Sequence, residues 1–510
     1  MEICRNLWKL VEIVCLIFTF YIFAFICFAQ APLETEFLTG QEDLEQLKES
    51  YFRENRYSEF VDYLKGTRKA NPAQVSYYIA LSRYEGLRYL EETQNWEEYF
   101  NRGNEYRQEF IKEALNAIKL SSTNEPLFLY AKCLLWQFHK DMQDEQVEAA
   151  LKDLLFAVEQ YSGSSSKDLS RPFYDEASDW GKKGRDLSAI KYVADKLSSY
   201  AERLNSQRVY NLYLERLIAS LQEDKEFQLV SLAKQLVYRD NEITNLFFAE
   251  EVFKKIDQLN PDFILDEQTQ YLRAYNLEKI KQYKDAYLQY QTLVQSYPQT
   301  SYYAEALFKM GVISAYVLKD ISGACDYFTK LTKGSFLKSP QVFASFYQLG
   351  LISQYQGDIS KAKEYYNALL DKKEAVAFCA DLISMAKARL QEIEASQPLE
   401  FNLKTFMDAA LKENEGVVTL TPVDIKAQYF KLTVNQDVEV SASAFPLESG
   451  CMPVNLEYLW SGELGSAEPG NDQCSFTTHY AYPGTKLIGL AVISPSGILG
   501  HSLVFLDVAE

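Results

Sequence analysis

Histidine, the side chain that most often moves protons near neutral pH, occurs only three times in 510 residues, at His139, His479 and His501. His479 and His501 share one region but lack an evident third ligand, so they read as surface or strand residues rather than zinc ligands. No GxSxG, HExxH, phosphate loop, dinucleotide fingerprint or calcium-loop spacing occurs. Carboxylates are abundant, but on helical segments a charge run is a solvated face, and nothing singles out a catalytic pair. The chain therefore reads as a non-enzyme, with no catalytic residue, no metal site and no cofactor. Cysteine offers one further chemistry. Three of eight thiols, Cys4, Cys15 and Cys27, fall in the first 29 residues, and no CxxC exists among the other five. Cys133, Cys325 and Cys379 sit in helical runs and read as buried, inert thiols. Cys451 and Cys474, 23 positions apart, read as a disulfide if the compartment is oxidising and as two free thiols otherwise.

The compartment is written at the start. Arg5 and Lys9 precede an apolar run from Ile13 to Ala29, broken by Thr19. A basic start, an apolar stretch and a small-residue site at Cys27 and Ala29 describe a signal peptide over 1–29, cleaved before Gln30. Ile26 is too bulky for a lipidation motif. An uncleaved anchor is the alternative, and both place the body outside the cytoplasm, with Arg5 and Lys9 inside. Acidic residues outnumber basic ones 71 to 52, a net charge of −19, which argues against nucleic acid as a partner. Membrane contact is expected only through the N-terminal segment, if it is retained.

From 41 to 396, apolar residues recur at helical spacing, and the pattern repeats. Phe346-x2-Leu349-Gly350 leads to Ala362-x3-Tyr366-x2-Leu369. The preceding unit has Leu307-x2-Met310-Gly311 and Ala324-x3-Phe328-x2-Leu331, and the one before that Ala286-x3-Tyr290-x2-Leu293. Ala286, Ala324 and Ala362 are each 38 residues apart, and Ala249-x3-Phe253-x2-Ile256 lies 37 residues earlier. Two antiparallel helices need a small residue where they cross closely, which Gly350 and Ala362 supply. This pattern resembles the tetratricopeptide repeat family. The joint Ser296-Tyr297-Pro298-Gln299-Thr300-Ser301-Tyr302-Tyr303-Ala304 is similar to its extracytoplasmic type, as in the Tol-Pal coordinator and outer-membrane assembly lipoproteins of bacteria. The likeness is clearest over 230–376 within a solenoid spanning 185–396. Residues 41–161, where only Phe60, Leu64 and Pro72 keep the offsets, read as a degenerate helical-repeat arm. Ser162–Ser166 and Gly181–Arg185 mark a joint between the two.

After Gly416 the pattern alternates, as in Val438-Glu439-Val440-Ser441-Ala442, and predicts an antiparallel β-sandwich over 417–510. Residues 397–416, with a short helix from Phe406 to Leu411, read as a linker. Tyr458-Leu459-Trp460 and His479-Tyr480-Ala481-Tyr482-Pro483-Gly484-Thr485 resemble the polycystic-kidney-disease-type immunoglobulin-like domain. That family's acidic turn is replaced here by Ser461-Gly462-Glu463-Leu464. The fold class expected is mostly α: an α-solenoid of tetratricopeptide-like helical hairpins followed by a small C-terminal β-sandwich.

The resemblance also implies a site. In a tetratricopeptide solenoid the first helix of each repeat lines the concave groove, which here places Tyr271, Tyr275, Phe308, Tyr316, Tyr347 and Tyr355 on one curved surface. Such a stripe would bury a protein or peptide partner, unless the aromatics pack between helices as core. The function implied is an extracytoplasmic, periplasmic scaffold that binds protein partners in envelope assembly or maintenance. The alternative is an adhesion module whose sandwich binds polysaccharide or protein, with the solenoid as spacer.

Overall fold

A computed structural model describes residues 44–67, 70–162, 187–200, 202–221, 224–238, 243–333, 339–372, 379–412, 423–444, 456–495 and 497–509. The 1–29 leader, most of the expected joint and Cys451 lie outside the described residues. Among the described residues no helix is long and apolar enough to cross a membrane. The chain divides into two compact units, Met1–Lys196 and Leu197–Glu510. The division falls within the helix Ser188–Ser199, C-terminal to the joint read from the sequence.

The first unit is helical: α1 (Leu44–Arg53), α2 (Tyr57–Gly66), α3 (Pro72–Glu92), α4 (Trp96–Leu120), α5 (Pro126–Met142) and α6 (Val147–Gln160), with α7 (Ser188–Ser199) at the division. Asn71 starts α3 by accepting from the amide of Ala73, with Pro72 at the first position, where its missing N–H costs nothing. Asn95 caps α4 through Glu98. The two helices pack as a hairpin of 21 and 25 residues. Those lengths explain the faint periodicity here, because each long helix shifts the next out of the 38-residue frame. Phe60 and Leu64, which keep the offsets, are buried. Phe110 and Phe138 stack at 4.1 Å between α4 and α5.

The second unit continues with α8 (Arg203–Ser220), α9 (Lys225–Tyr238), α10 (Ile243–Leu259), α11 (Glu267–Lys279), α12 (Tyr283–Ser296), α13 (Tyr303–Tyr316), α14 (Ile321–Lys333), α15 (Pro340–Tyr355), α16 (Ile359–Leu370), α17 (Ala380–Glu394) and α18 (Phe401–Leu411). Consecutive pairs from α9/α10 to α15/α16 pack as hairpins. The repeat residues do what their spacing requires. Ala286, Ala324 and Ala362, and the aromatics Tyr290, Phe328 and Tyr366 one turn later, are all fully buried. A Cβ on Gly311 would lie 2.5 Å from the Phe328 ring, and one on Gly350 would lie 2.5 Å from the Tyr366 ring. In these two hairpins the glycine of the first helix is thus the seat for the aromatic of the second.

The sandwich has seven strands: β1 (Val423–Ala427), β2 (Lys431–Thr433), β3 (Val438–Ala444), β4 (Glu457–Gly462), β5 (Ser475–Thr478), β6 (Gly484–Ser494) and β7 (Gly497–Ala509). One sheet has the order β1-β3-β5, the other β2-β7-β6-β4. Pairing is antiparallel as expected, except that β2 runs parallel to β7 with Lys431 opposite Asp507. Trp460 of β4 meets Phe476 of β5 across the two sheets at 4.9 Å, and its indole donates to the Gln473 carbonyl. Tyr480, in the turn before β6, donates to the Glu463 carbonyl. These contacts fit an immunoglobulin-like domain.

Gly350→Ala is expected to cost about 2 kcal/mol, since the fixed Tyr366 ring cannot yield to an added methyl. Gly66→Ala, where a Cβ meets nothing within 4 Å, is the control and is expected to be neutral or slightly stabilising. Thermal melts of both variants against the parent check this.

Candidate functional site

The concave face of the solenoid is the candidate site, and the chain itself occupies it. β6 has eight consecutive buried residues, Thr485 to Val492, and β7 buries Leu503 to Leu506 without a break. A strand buried on both faces reads this way. Alternation sends Trp460 and its neighbours toward the facing sheet. The other face, with Leu487, Gly489, His501, Phe505 and Asp507, turns to the solenoid and to α18. Gly489 marks the closest approach, since a Cβ there would sit 2.9 Å from the Phe406 ring.

The stretch read as a linker is a wedge. Glu400 caps α18 by accepting from the amides of Asn402 and Leu403, starting the helix five residues earlier than the sequence suggested. Asn402 donates to the Trp460 carbonyl, and Phe406 lies 5.4 Å from Tyr316 and 6.2 Å from His501. Leu403, Phe406, Met407 and Ala410 are buried. The α18 helix thus joins the groove to the β2-β7-β6-β4 sheet in one continuous core.

The six aromatics are accordingly not an open anchor row. Tyr275, Phe308, Tyr316 and Tyr347 are at most 3% exposed, and Tyr271 and Tyr355 are half-buried. Tyr316 packs on Phe406 and donates to Gln348 (2.7 Å). Tyr355 donates to Asp408 of α18 (2.9 Å). Tyr271 stacks on Tyr302 at 4.0 Å and donates to Glu305. Phe308 turns toward Phe328 of its own hairpin. Tyr347 lies beside Tyr366 and lines a cavity of about 20 Å³, enough for a single water-sized molecule, together with Phe406, Glu463 and Gly489. The groove expected to receive a partner's peptide is therefore filled by this chain's sandwich and α18. The aromatic stripe is packing, the alternative that helical spacing left open.

The sequence did not point to the charges at the centre of this seam. Lys309, on α13, replaces the tyrosine found 38 residues to either side at Tyr271 and Tyr347. Its ammonium lies 3.2 Å from Glu278, 2.9 Å from Glu305 and 3.2 Å from Asp507 of β7. Lys279 contacts Glu278 at 2.9 Å and Asp507 at 3.1 Å, and donates to the Phe505 carbonyl. The Tyr275 ring lies 4.7 Å from Lys279 and 5.4 Å from Lys309. Both lysine side chains are at most 1% exposed. Burial alone would raise the Asp507 carboxyl; Lys279 and Lys309 outweigh it and hold that group well below the usual aspartate range, aided by the Thr485 hydroxyl. Burial works against the charge of Lys309, but Asp507, Glu278 and Glu305 overcome it and raise its pKa. Around this cluster, Tyr283 donates to the Leu503 carbonyl (2.7 Å), and Lys281 pairs with Asp424 and donates to the Ile425 carbonyl (2.6 Å). The one available signal was a lysine in an otherwise apolar helix face and an aspartate in an apolar strand.

Of the remaining expected features, Cys133 and Cys379 are buried, and burial pushes both thiols up to about 12, as inert thiols require. Cys325 is half-buried, and burial likewise raises its thiol. Cys474 is exposed just before β5, and its suggested partner Cys451 is outside the described residues. His479 is exposed and contacts Asp437 at 3.2 Å. His501 is largely buried; burial lowers its pKa, with Lys319 acting in the same sense and a backbone hydrogen bond at Tyr316 opposing.

Two tests follow from the seam. Asp507→Asn removes the charge that both lysines share, and breaking a buried ion cluster in this way typically costs about 3–5 kcal/mol. A lowered melting temperature and proteolytic release of the sandwich are the expected readouts. His501 stays neutral when folded at a pH where an unfolded chain takes up a proton, so stability falls as pH drops through about 6.5 and returns as pH rises. The drop in melting temperature between pH 7.5 and 5.5 should be smaller in His501→Gln than in the parent.

A tetratricopeptide repeat family model matches residues 344–383, which cover most of α15, all of α16 and the start of α17. No curated protein matches the chain. Over the matched hairpin, with Gly350 seated against Tyr366, the chain is similar to tetratricopeptide repeat proteins, whose repeats generally mediate protein–protein interaction.

Proposed function

We propose that this chain is an exported, non-enzymatic scaffold of a bacterial cell envelope that binds protein partners. Its extracytoplasmic location rests on Arg5 and Lys9 ahead of the Ile13–Ala29 run and on the long-period Ser296–Ala304 joint. The observation that carries the scaffold reading is the rigid hairpin array with its 38-residue spacing, matched in α15–α16 by the tetratricopeptide family. Because α18 and the sandwich fill the concave face, a partner is taken up by surfaces outside it. The same docking weighs against the adhesion reading, since a sandwich sunk into the solenoid is not held out on a spacer. Tyr458-Leu459-Trp460 and the Tyr480 turn support a polycystic-kidney-disease-type sandwich, here in a structural role.

A reporter fused after residue 40 should be exported, and the processed chain should begin at Gln30. Cross-linking in intact cells, mapped by mass spectrometry, should capture envelope proteins through residues outside the Lys279–Lys309–Asp507 seam. A cytoplasmic reporter would sink the compartment, and cross-links confined to the seam would sink the proposed binding surface.

A further inference from the structure

Within the first unit, α4 carries an apolar face that its own hairpin does not use. Gly103, Tyr106, Phe110, Ala114 and Ala117 form its buried side. Trp96, Phe100, Ile111 and Leu115 lie on another side and are exposed, Phe100 at 76% and Leu115 at 51%. At 100° per residue these four fall within an arc of about 100°, and at 1.5 Å per residue they run for about 28 Å. On the same arc Asn104 and Arg107 separate an N-terminal apolar pair, Trp96 and Phe100, from a C-terminal pair, Ile111 and Leu115, so the face has two apolar ends.

The charges around the stripe identify its occupant. Glu97 stands at its N-terminal end and Lys119 at its C-terminal end; both are exposed, and neither has an ion-pair partner among the described residues. A second α4 laid antiparallel about a twofold axis between residues 107 and 108 sets Phe100 opposite Leu115 and Trp96 opposite Lys119. Glu97 of one copy then lies beside Lys119 of the other, twice over. The two helix dipoles also oppose, so each acidic end meets a basic end. Arg107, the charged group nearest the axis, folds back over the Tyr99 ring at 5.4 Å and donates to its hydroxyl, and the exposed, uncharged Asn104 faces Ile111 of the other copy. The surface is thus self-complementary in both shape of pattern and sign of charge, which is what an isologous interface requires.

We infer that the chain forms a homodimer through antiparallel pairing of α4. The partner is a second copy of this chain, and the contact joins two scaffolds through their first units.

Sedimentation velocity of the purified chain over a concentration series tests this. A species of twice the monomer mass that dissociates on dilution is expected. Phe100→Asp and Leu115→Asp should each give a monomer with the parent's circular dichroism and melting temperature, because both side chains are exposed. Glu97→Lys and Lys119→Glu should each weaken the dimer roughly threefold to tenfold, and the double reversal should restore it. A parent that stays monomeric at tens of micromolar overturns the inference. So does a dimer that Phe100→Asp leaves intact, or a double reversal that fails to recover association.

Discussion

Two lysines and two acids with almost no water around them decide how the second unit is built. Taking Lys279, Lys309, Glu278 and Asp507 out of solvent costs several kcal/mol per ion, and only a closed set of opposite charges at hydrogen-bonding distance recovers it. The recovery depends on position. A sandwich rotated or shifted by a single residue would remove Asp507 from both ammonium groups and leave Lys279 and Lys309 with only Glu278 and the half-buried Glu305. Apolar burial between sheet and solenoid supplies attraction without direction, whereas the ion cluster selects one docking geometry. Tyr283 on Leu503 and Lys281 on Asp424 extend that selection around the seam.

Once the sheet is held there, several features share one cause. β6 loses the alternation of a half-exposed strand because both of its faces are covered. Gly489 stands where α18 presses against β6, and α18 is a helix because its apolar side has two surfaces to fill. Tyr316, Tyr355 and Tyr271 keep their rings as filler and direct their hydroxyls to partners in the same chain, at Gln348, Asp408 and Glu305. A concave surface that would be a receptor in an open solenoid becomes here the inside of a larger domain.

What was legible in the sequence is what neighbouring residues encode together. The Gly350, Ala362 and Tyr366 pattern records a crossing between helices only a few residues apart, so its period survives in one dimension. The sandwich was visible through strand alternation and turn residues. The first unit was faint because α3 and α4 outgrow the repeat frame. The seam was not legible, because Lys309 and Asp507 are 198 residues apart and Lys279 and Asp507 are 228 apart, and no local pattern links them. The unbroken run from Leu487 to Val492 is the clue that a second surface covers β6, since alternation is the ordinary expectation for a sandwich. Residues 397–416 looked like a linker for the same reason, since α18 takes its shape from what it packs against.

The separation along the chain also has a temporal side. Synthesis at about 5–20 residues per second places Asp507 roughly 10–40 seconds behind Lys309. Through that interval the hairpins α11 to α16 can already close on their own glycine and aromatic seats, while Lys279 and Lys309 face outward with only Glu278 and Glu305 for company. The half-made protein therefore exposes an aromatic, charged trough that the completed one hides. Its most adhesive surface belongs to the nascent chain, and the last strand, β7, is what retires it.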